Sequence, residues 1–182
     1  VRSVGDVNPI SDKEIIDTEL QLKDLETIDK RLERIQKIAK SGNAEAKAEM
    51  AVINTFKSHL ESGQNARSLE VSPEELEIIL PLCLLTIKPV VYVANVDESS
   101  LQNGNQFSEI LKNEVAKENA DVLILCAKIE SEIAELEDPE ERAIFLAEYG
   151  LEQSGLDNLI RAGYELLNLI TYFTAGPKEV RA

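Results

Sequence analysis

Two runs of branched apolar residues, each followed directly by polar residues, constrain the fold of this chain most strongly. Residues 90–93 lack the alternation of a half-exposed strand, and residues 121–126 repeat the pattern after a helical stretch at 107–119. Uninterrupted apolar runs of this length are typical of strands covered on both faces of a parallel sheet. The order strand, helix, strand predicts a βαβ unit, in which the carboxyl ends of both strands lie at one edge.

Polar side chains follow both predicted strands at that edge. In open α/β sheets a ligand binds in the crevice beyond the carboxyl ends of the strands. We therefore predict a binding crevice here, with the alternative that these residues only cap the next helix. Its candidate residues are Asn95, Val96, Glu98, Cys126, Ala127 and Lys128.

The first part of the chain has helical periodicity. Apolar residues in 12–40 recur at alternating spacings of three and four, and a second apolar stripe covers 44–60. The intervening residues 41–43 include a glycine suited to a helix C-cap. The pattern predicts an antiparallel helical hairpin, an arm projecting from the main domain. Ser72, Pro73 and Glu75 predict the start of a third helix that leads back to the sheet.

Basic residues cluster near the predicted end of the hairpin. One interpretation is contact with a phosphate backbone. The other is a solvated helix face, since Glu26 with Lys30 and Glu33 with Lys37 have the spacing of favourable helical ion pairs. We give the two interpretations equal weight. The basic residues are Lys30, Arg31, Arg34, Lys37, Lys40 and Lys47.

Composition excludes several classes of protein. The net charge of −15 and the absence of tryptophan argue against a surface devoted to nucleic acid. His59 is the only histidine and lies in a helical pattern, so no metal or nucleophilic triad is expected. Cys83 and Cys126 lie in apolar runs and are predicted to be reduced and buried. No apolar run is long enough to span a bilayer, and we expect no membrane partner and a cytoplasmic location.

Specific segments resemble a known family. Residues 95–98 resemble a divergent Asn-x-x-Glu form of the Asn-Lys-x-Asp base-reading motif of P-loop GTPases, and 126–130 resemble the Ser-Ala-Lys loop that follows it. Residues 85–89, 161–164 and 171–182 resemble the YchF/Obg-like ATPase family. The resemblance runs from residue 6 to the end of the chain but covers only part of a family protein. It leaves out the N-terminal half of the nucleotide-binding domain and most of the TGS domain.

The resemblance implies an α/β fold: the C-terminal half of a P-loop NTPase parallel sheet, an inserted helical hairpin and the first strand of a TGS domain. The implied limits are 1–11 for an entry loop, 12–70 for the hairpin, 71–167 for the nucleotide-binding part and 168–182 for the TGS start. The intact protein is expected to hydrolyse ATP, or GTP, with Mg²⁺, as a switch for binding the ribosome or another RNA-protein partner. The alternative is a non-enzymatic module whose hairpin binds a partner on an α/β scaffold.

The divergent motif bears on which purine is bound. Glu98 is one methylene longer than the aspartate that reads the two donors of guanine, and Val96 would offer an apolar surface to the base. Asn95 is expected to bond the base edge or brace the phosphate loop, and the N–H groups around Ala127 and Lys128 to contact the exocyclic position. These changes predict relaxed or lost guanine preference.

Phosphate chemistry needs residues that this sequence lacks. It contains no Gly-x-x-x-x-Gly-Lys-[Ser/Thr] stretch, whose backbone and lysine hold the β- and γ-phosphates. No catalytic or metal-binding residue is therefore assigned. The 182 residues alone are expected neither to bind a triphosphate tightly nor to hydrolyse it.

Overall fold

The computed structural model describes residues 7–118 and 120–172, and the backbone of 174–175 and 180–181. The chain divides into two compact units, Val1–Pro89 and Val90–Ala182. The implied domain limits, including the one after residue 70, remain predictions. In the described part of the first unit all regular structure is helical, whereas the second unit combines helices with strands.

Two long helices form where the apolar periodicity predicts them. Helix α1 spans Pro9–Lys40 and α2 spans Ala44–Glu61. Asn8 caps α1 by accepting from Ser11 N at 3.2 Å, so the helix starts ahead of the predicted position. Ion pairs join the helices in antiparallel register, with Lys57 Nζ 2.5 Å from Asp29 Oδ1 and Arg31 Nη2 2.5 Å from Glu49 Oε1.

The third helix packs against this pair. Helix α3 spans Pro73–Ile79 and begins with the predicted capping box of Ser72 and Glu75. Short 3-10 helices occupy Ala66–Ser68 and Leu80–Leu82. The buried core of the first unit includes Ile28, Ile53, Phe56, Leu60, Ile79 and Leu84. Ile79 therefore joins the core of the helix pair, whereas the sequence predicted that α3 would lead back to the sheet.

A buried carboxylate ties α1 to the end of the first unit. Asp24 is 1% exposed. Its Oδ1 accepts from Leu85 N at 2.6 Å, and its Oδ2 accepts from Thr86 N and Thr86 Oγ1, each at 2.7 Å. Three donors thus satisfy a charge that would otherwise be costly to bury.

The second unit contains the predicted βαβ unit. Strand β1 spans Tyr92–Asn95 and β2 spans Val122–Leu125, and they pair in parallel with Asn95 opposite Leu125. Helix α4, Gln106–Val115, connects them, flanked by 3-10 helices at Glu98–Ser100 and Ala116–Glu118. The sequence predicted strands covered on both faces, and this prediction is wrong for β1. Val93 is 42% exposed and burial alternates along β1, because the described sheet has only these two strands.

Three further helices follow β2. They are α5 at Ala127–Glu135, α6 at Pro139–Glu148 and α7 at Gly155–Leu166. The core beneath α5 and α6 is formed by Leu101, Cys126, Ile129, Ile133 and Leu146. A short antiparallel pair joins β3, Thr174–Ala175, to β4, Val180–Arg181.

The first strand of a TGS domain, expected within 168–182, is not formed at 170–172, since these residues have no regular structure. Residue 173 lies outside the described part, and the next described strand residues are Thr174 and Ala175. The assignment of 168–182 to a TGS domain remains a prediction. Across the described residues, no helix is both long enough and apolar enough to cross a bilayer.

Candidate functional site

The two strand ends are joined directly. Asn95 Oδ1 accepts a hydrogen bond from Ala127 N at 3.0 Å, and Val96 N donates to Leu125 O at 2.9 Å. Parallel pairing of β1 and β2 places these residues at one edge, as the sequence predicted. Ala127 is the first residue of α5, whose N-terminal N–H groups have no partner within the helix. Asn95 therefore does cap the next helix, which was the alternative interpretation, and it also links the two strand ends.

A charged pair lies beside this link. Lys128 Nζ is 2.5 Å from Glu98 Oε1, and the hydrogen bond to Glu98 raises the pKa of Lys128. The short helix at Glu98–Ser100 positions the glutamate. It is capped by Asp97, whose Oδ1 accepts from Ser100 N at 2.9 Å. Hydrogen bonds with Ser100 and then Ser99 lower the pKa of Asp97, which favours the ionised form of this cap.

The predicted site residues differ in how much of each faces solvent. Asn95, Glu98, Ala127 and Lys128 are exposed, whereas Val96 is 9% exposed and Cys126 is 3% exposed. The burial of Val96 leaves little of the apolar surface that was expected to face a base. The Ala127 N–H, expected to be free for a ligand, is committed to Asn95. The site therefore offers the Asn95 amide, the Lys128 backbone N–H and the Glu98–Lys128 pair.

Glu130 and Gly155 support the edge and were not predicted to do so. Glu130 accepts from Gly155 N at 2.7 Å and from Leu156 N at 3.1 Å, which fixes the start of α7. A Cβ on Gly155 would lie 2.8 Å from the Leu125 Cβ, so this position needs glycine. In the sequence near Gly155, the one sign that a helix begins there is the capping residue Ser154, whose Oγ accepts from Asp157 N.

The cysteines and the histidine have structural surroundings. Cys126 is buried as predicted, but the prediction for Cys83 is wrong: this thiol is exposed. Cys83 follows the 3-10 helix in a left-handed conformation, φ 51°, which turns the chain at the surface. His59 Nε2 lies 2.8 Å from Ser68 Oγ, which itself donates to Asn65 O. Among the described residues no cluster of His, Cys, Asp and Glu could hold a metal ion.

A second candidate surface is the hairpin tip, defined by the six basic residues near the α1–α2 turn. Arg31 is neutralised by Glu49, whose Oε1 lies 2.6 Å from its Nε. The predicted helical ion pairs do not form: Glu26 binds Lys23 at 3.1 Å, and within the described ranges Glu33 and Lys37 are not paired. Five cations therefore have no ion pair in the described part of the chain, namely Lys30, Arg34, Lys37, Lys40 and Lys47.

Comparisons with known sequences and with solved structures point to the same family, although a comparison with family models does not. No protein-family model matches the chain. It is 49% identical over 178 residues to "Ribosome-binding ATPase YchF" of Escherichia coli O157:H7, covering 98% of this chain and 48% of that protein. The Bacillus subtilis (strain 168) protein of the same name is 48% identical over 180 residues, covering 98% of this chain and 49% of its own length.

The fold agrees with a solved structure. The YchF GTPase of Schizosaccharomyces pombe superposes with a TM-score of 0.85 at 34% identity, covering 100% of this chain and 50% of that protein. Identity at this level over the whole chain, together with the shared fold, identifies a common family. The chain belongs to the YchF family and spans about half the length of the relatives it matches.

Proposed function

We propose that the protein containing this chain binds and hydrolyses ATP, and that the edge formed by Asn95, Glu98 and Lys128 is the purine half of its nucleotide site. The observation that carries this proposal is the 3.0 Å hydrogen bond from Ala127 N to Asn95 Oδ1, which brings the two motif segments together. Relatives at 48–49% identity are named ribosome-binding ATPases, and the yeast relative is named a GTPase.

The donors at this edge suit a purine. Asn95 Nδ2 has no hydrogen-bond partner among the described residues, so it can donate to a ring nitrogen. The backbone N–H of Lys128, in the first turn of α5, can do the same. Both groups suit either purine, because adenine and guanine each carry ring-nitrogen acceptors.

Discrimination between purines is assigned to Glu98. Guanine presents two hydrogen-bond donors on one edge, and a free carboxylate can accept a bond from each. Adenine lacks this pair of donors. Because Glu98 is held by Lys128, its carboxylate is partly neutralised and turned toward the lysine. This supports a preference for ATP over GTP.

Binding of the phosphates and their hydrolysis are assigned to parts of the intact protein other than these 182 residues. These 182 residues contain no phosphate-loop motif, and Mg²⁺ would be held mainly by phosphate oxygens and by groups of the intact protein. When bound, Mg²⁺ would offset charge on the phosphates. The residues described here orient the base and leave hydrolysis to the intact protein.

Ribosome binding is assigned to the hairpin tip. Five cations that have no ion pair among the described residues lie near the α1–α2 turn and form a local positive patch in a chain of net charge −15. Such a patch favours contact with phosphate groups of RNA. We infer that nucleotide hydrolysis acts as a switch for this contact in the cytoplasm.

Exchange of the motif residues should change the purine preference. Glu98→Asp shortens the side chain so that it reaches Lys128 poorly and leaves its carboxylate for guanine, and Glu98→Asp with Val96→Lys restores the motif pattern. We expect the ATP-to-GTP affinity ratio of the full-length protein to fall by about fivefold to tenfold, the equivalent of one hydrogen bond. Isothermal titration with both nucleotides measures this ratio.

The single variant controls for folding, because Val96 is buried and a lysine there could disturb packing. An unchanged ratio in both variants would refute the role given to Glu98. No measurable affinity of the wild-type protein for ATP or GTP would instead favour the alternative of a non-enzymatic scaffold.

Charge reversal at the tip should weaken ribosome binding. Arg34→Glu with Lys37→Glu replaces two exposed cations that have no ion pair in the described chain. We expect about a fivefold loss of affinity and a salt-dependence slope that is lower by about two, since each lost phosphate contact removes nearly one unit. Co-sedimentation with ribosomes at several salt concentrations gives both values. If ribosome affinity changes neither with the charge reversal nor with the salt concentration, the hairpin tip is not the ribosome-binding surface.

A further inference from the structure

A groove lies between the helix pair and α3 in the first unit, and the proposed function does not use it. Its cavity volume is about 550 Å³. Ala48, Ile78, Pro81 and Leu82 supply apolar lining. We call this feature the acidic groove, because its charged lining consists of three glutamates and one arginine, namely Glu45, Glu49, Glu77 and Arg31.

The charges of the acidic groove do not balance. Arg31 and Glu49 neutralise each other through contacts of 2.5 and 2.6 Å. Glu45 and Glu77 have no ion pair within the described part of the chain. Two carboxylates beside apolar side chains create a local negative potential in a concave site, which attracts cations and repels phosphate.

The Arg31–Glu49 pair shows which kind of group this surface can bind. Its guanidinium is held by one carboxylate through two nitrogen atoms while its neighbours supply an apolar wall. A lysine or arginine of another protein can pair with Glu45 or Glu77 in the same way. An aliphatic residue next to it in that protein would then lie over Ile78 and Leu82. A nucleic acid would not, since its phosphates carry the same charge as the lining.

We propose that the acidic groove binds a basic segment of a partner protein, in which lysine or arginine is flanked by aliphatic side chains. The charged residue is held by Glu45 and Glu77, and the aliphatic residue contacts the apolar lining. Charge complementarity provides attraction and orientation, and burial of the aliphatic side chain adds affinity. This site uses none of the residues proposed to bind the purine. It shares Arg31 with the hairpin tip, but its charges that have no ion pair in the described ranges are negative, whereas those of the tip are positive.

A labelled peptide tests the proposal on the full-length protein. The probe is a fluorescein-labelled Leu-Arg-Leu-Lys-Leu peptide, followed by fluorescence anisotropy. We expect Glu45→Gln with Glu77→Gln to weaken binding at least about fivefold, because two charge contacts are lost. Ala48→Phe, which fills the groove from an exposed position without changing charge, should weaken binding to a similar degree.

Matched controls separate the acidic groove from the general acidity of the chain. Glu19→Gln with Glu70→Gln makes the same change in charge at exposed positions and should leave binding within about twofold, since neither glutamate lines the groove. Circular dichroism checks that each variant is folded. A basic peptide with serine in place of leucine should bind at least about fivefold more weakly, because burial of an aliphatic side chain is lost.

Three results would overturn the proposal. One is an equal loss of peptide affinity in Glu45→Gln with Glu77→Gln and in Glu19→Gln with Glu70→Gln, which would mean non-specific attraction. Another is unchanged binding in Ala48→Phe, which would place the peptide elsewhere. The third is a dimer, seen by sedimentation, that Ala48→Phe abolishes, which would mean that a second copy of this chain occupies the groove.

Discussion

Replacing Asp24 with alanine is expected to lower the free energy of unfolding of the first unit by about 3–5 kcal/mol. The reason is that Asp24 is 1% exposed and accepts hydrogen bonds from Leu85 N, Thr86 N and Thr86 Oγ1. Alanine would leave these donors without their acceptor in a region where water does not easily replace it. The measurement is urea unfolding followed by circular dichroism.

Asp24→Asn tests the same site with an isosteric side chain. The two carboxylate oxygens accept from different donors, so an amide keeps one acceptor and turns an NH₂ group toward the other donors. We expect a loss of stability close to that of the alanine variant. Glu26→Ala is the control: Glu26 forms only an exposed pair with Lys23 on the same helix and should change stability by less than about 1 kcal/mol. Equal stability of the Asp24 and Glu26 alanine variants would contradict the account of this buried carboxylate.

Replacing Asn95 with alanine is expected to weaken ATP binding by the full-length protein about tenfold to hundredfold, the equivalent of one or two lost hydrogen bonds. The first is the contact between Asn95 Oδ1 and Ala127 N, which holds α5 against the end of β1. The second is the bond that we propose from Asn95 Nδ2 to the base. Isothermal titration measures the loss.

Two variants separate these contributions. Asn95→Asp keeps an acceptor for Ala127 N but removes the donor, so it should retain the strand-end link and still bind ATP more weakly. Asn158→Ala is the matched control, because Asn158 is an exposed asparagine on α7 in the same unit. ATP affinity that is equal in Asn95→Ala and Asn158→Ala would remove Asn95 from the site.

Local patterns in the sequence predicted the elements well. The two antiparallel helices, the capping box of Ser72 and Glu75 and the parallel βαβ unit formed where predicted, although α1 begins before the predicted residue and the strands are less covered than expected. Each depends on residues that are close in sequence or on a short apolar period, and these act through local backbone geometry. The sequence also predicted that Asn95 and Ala127 lie at one edge, because parallel strands end at the same edge, but it did not predict the hydrogen bond between them.

Contacts between distant residues could not be read in the same way. Asp24 and Thr86 are 62 residues apart, and Glu98 and Lys128 are 30 apart, so no periodicity relates them. Cys83 shows a related difficulty, because its apolar neighbours predicted burial but the left-handed turn after Leu82 exposes it. Likewise, the apolar run at 90–93 indicated a strand but not how much of each face other elements cover.

Hydrogen exchange of the full-length protein, with and without saturating ATP, tests most directly whether the two strand ends form the purine half of a nucleotide site. We predict that ATP slows amide exchange in the segments 95–98 and 127–130, with Lys128 among the protected amides, and that Asn95→Ala reduces this protection. Saturating ATP that protects other segments while exchange in 95–98 and 127–130 stays unchanged would contradict the account.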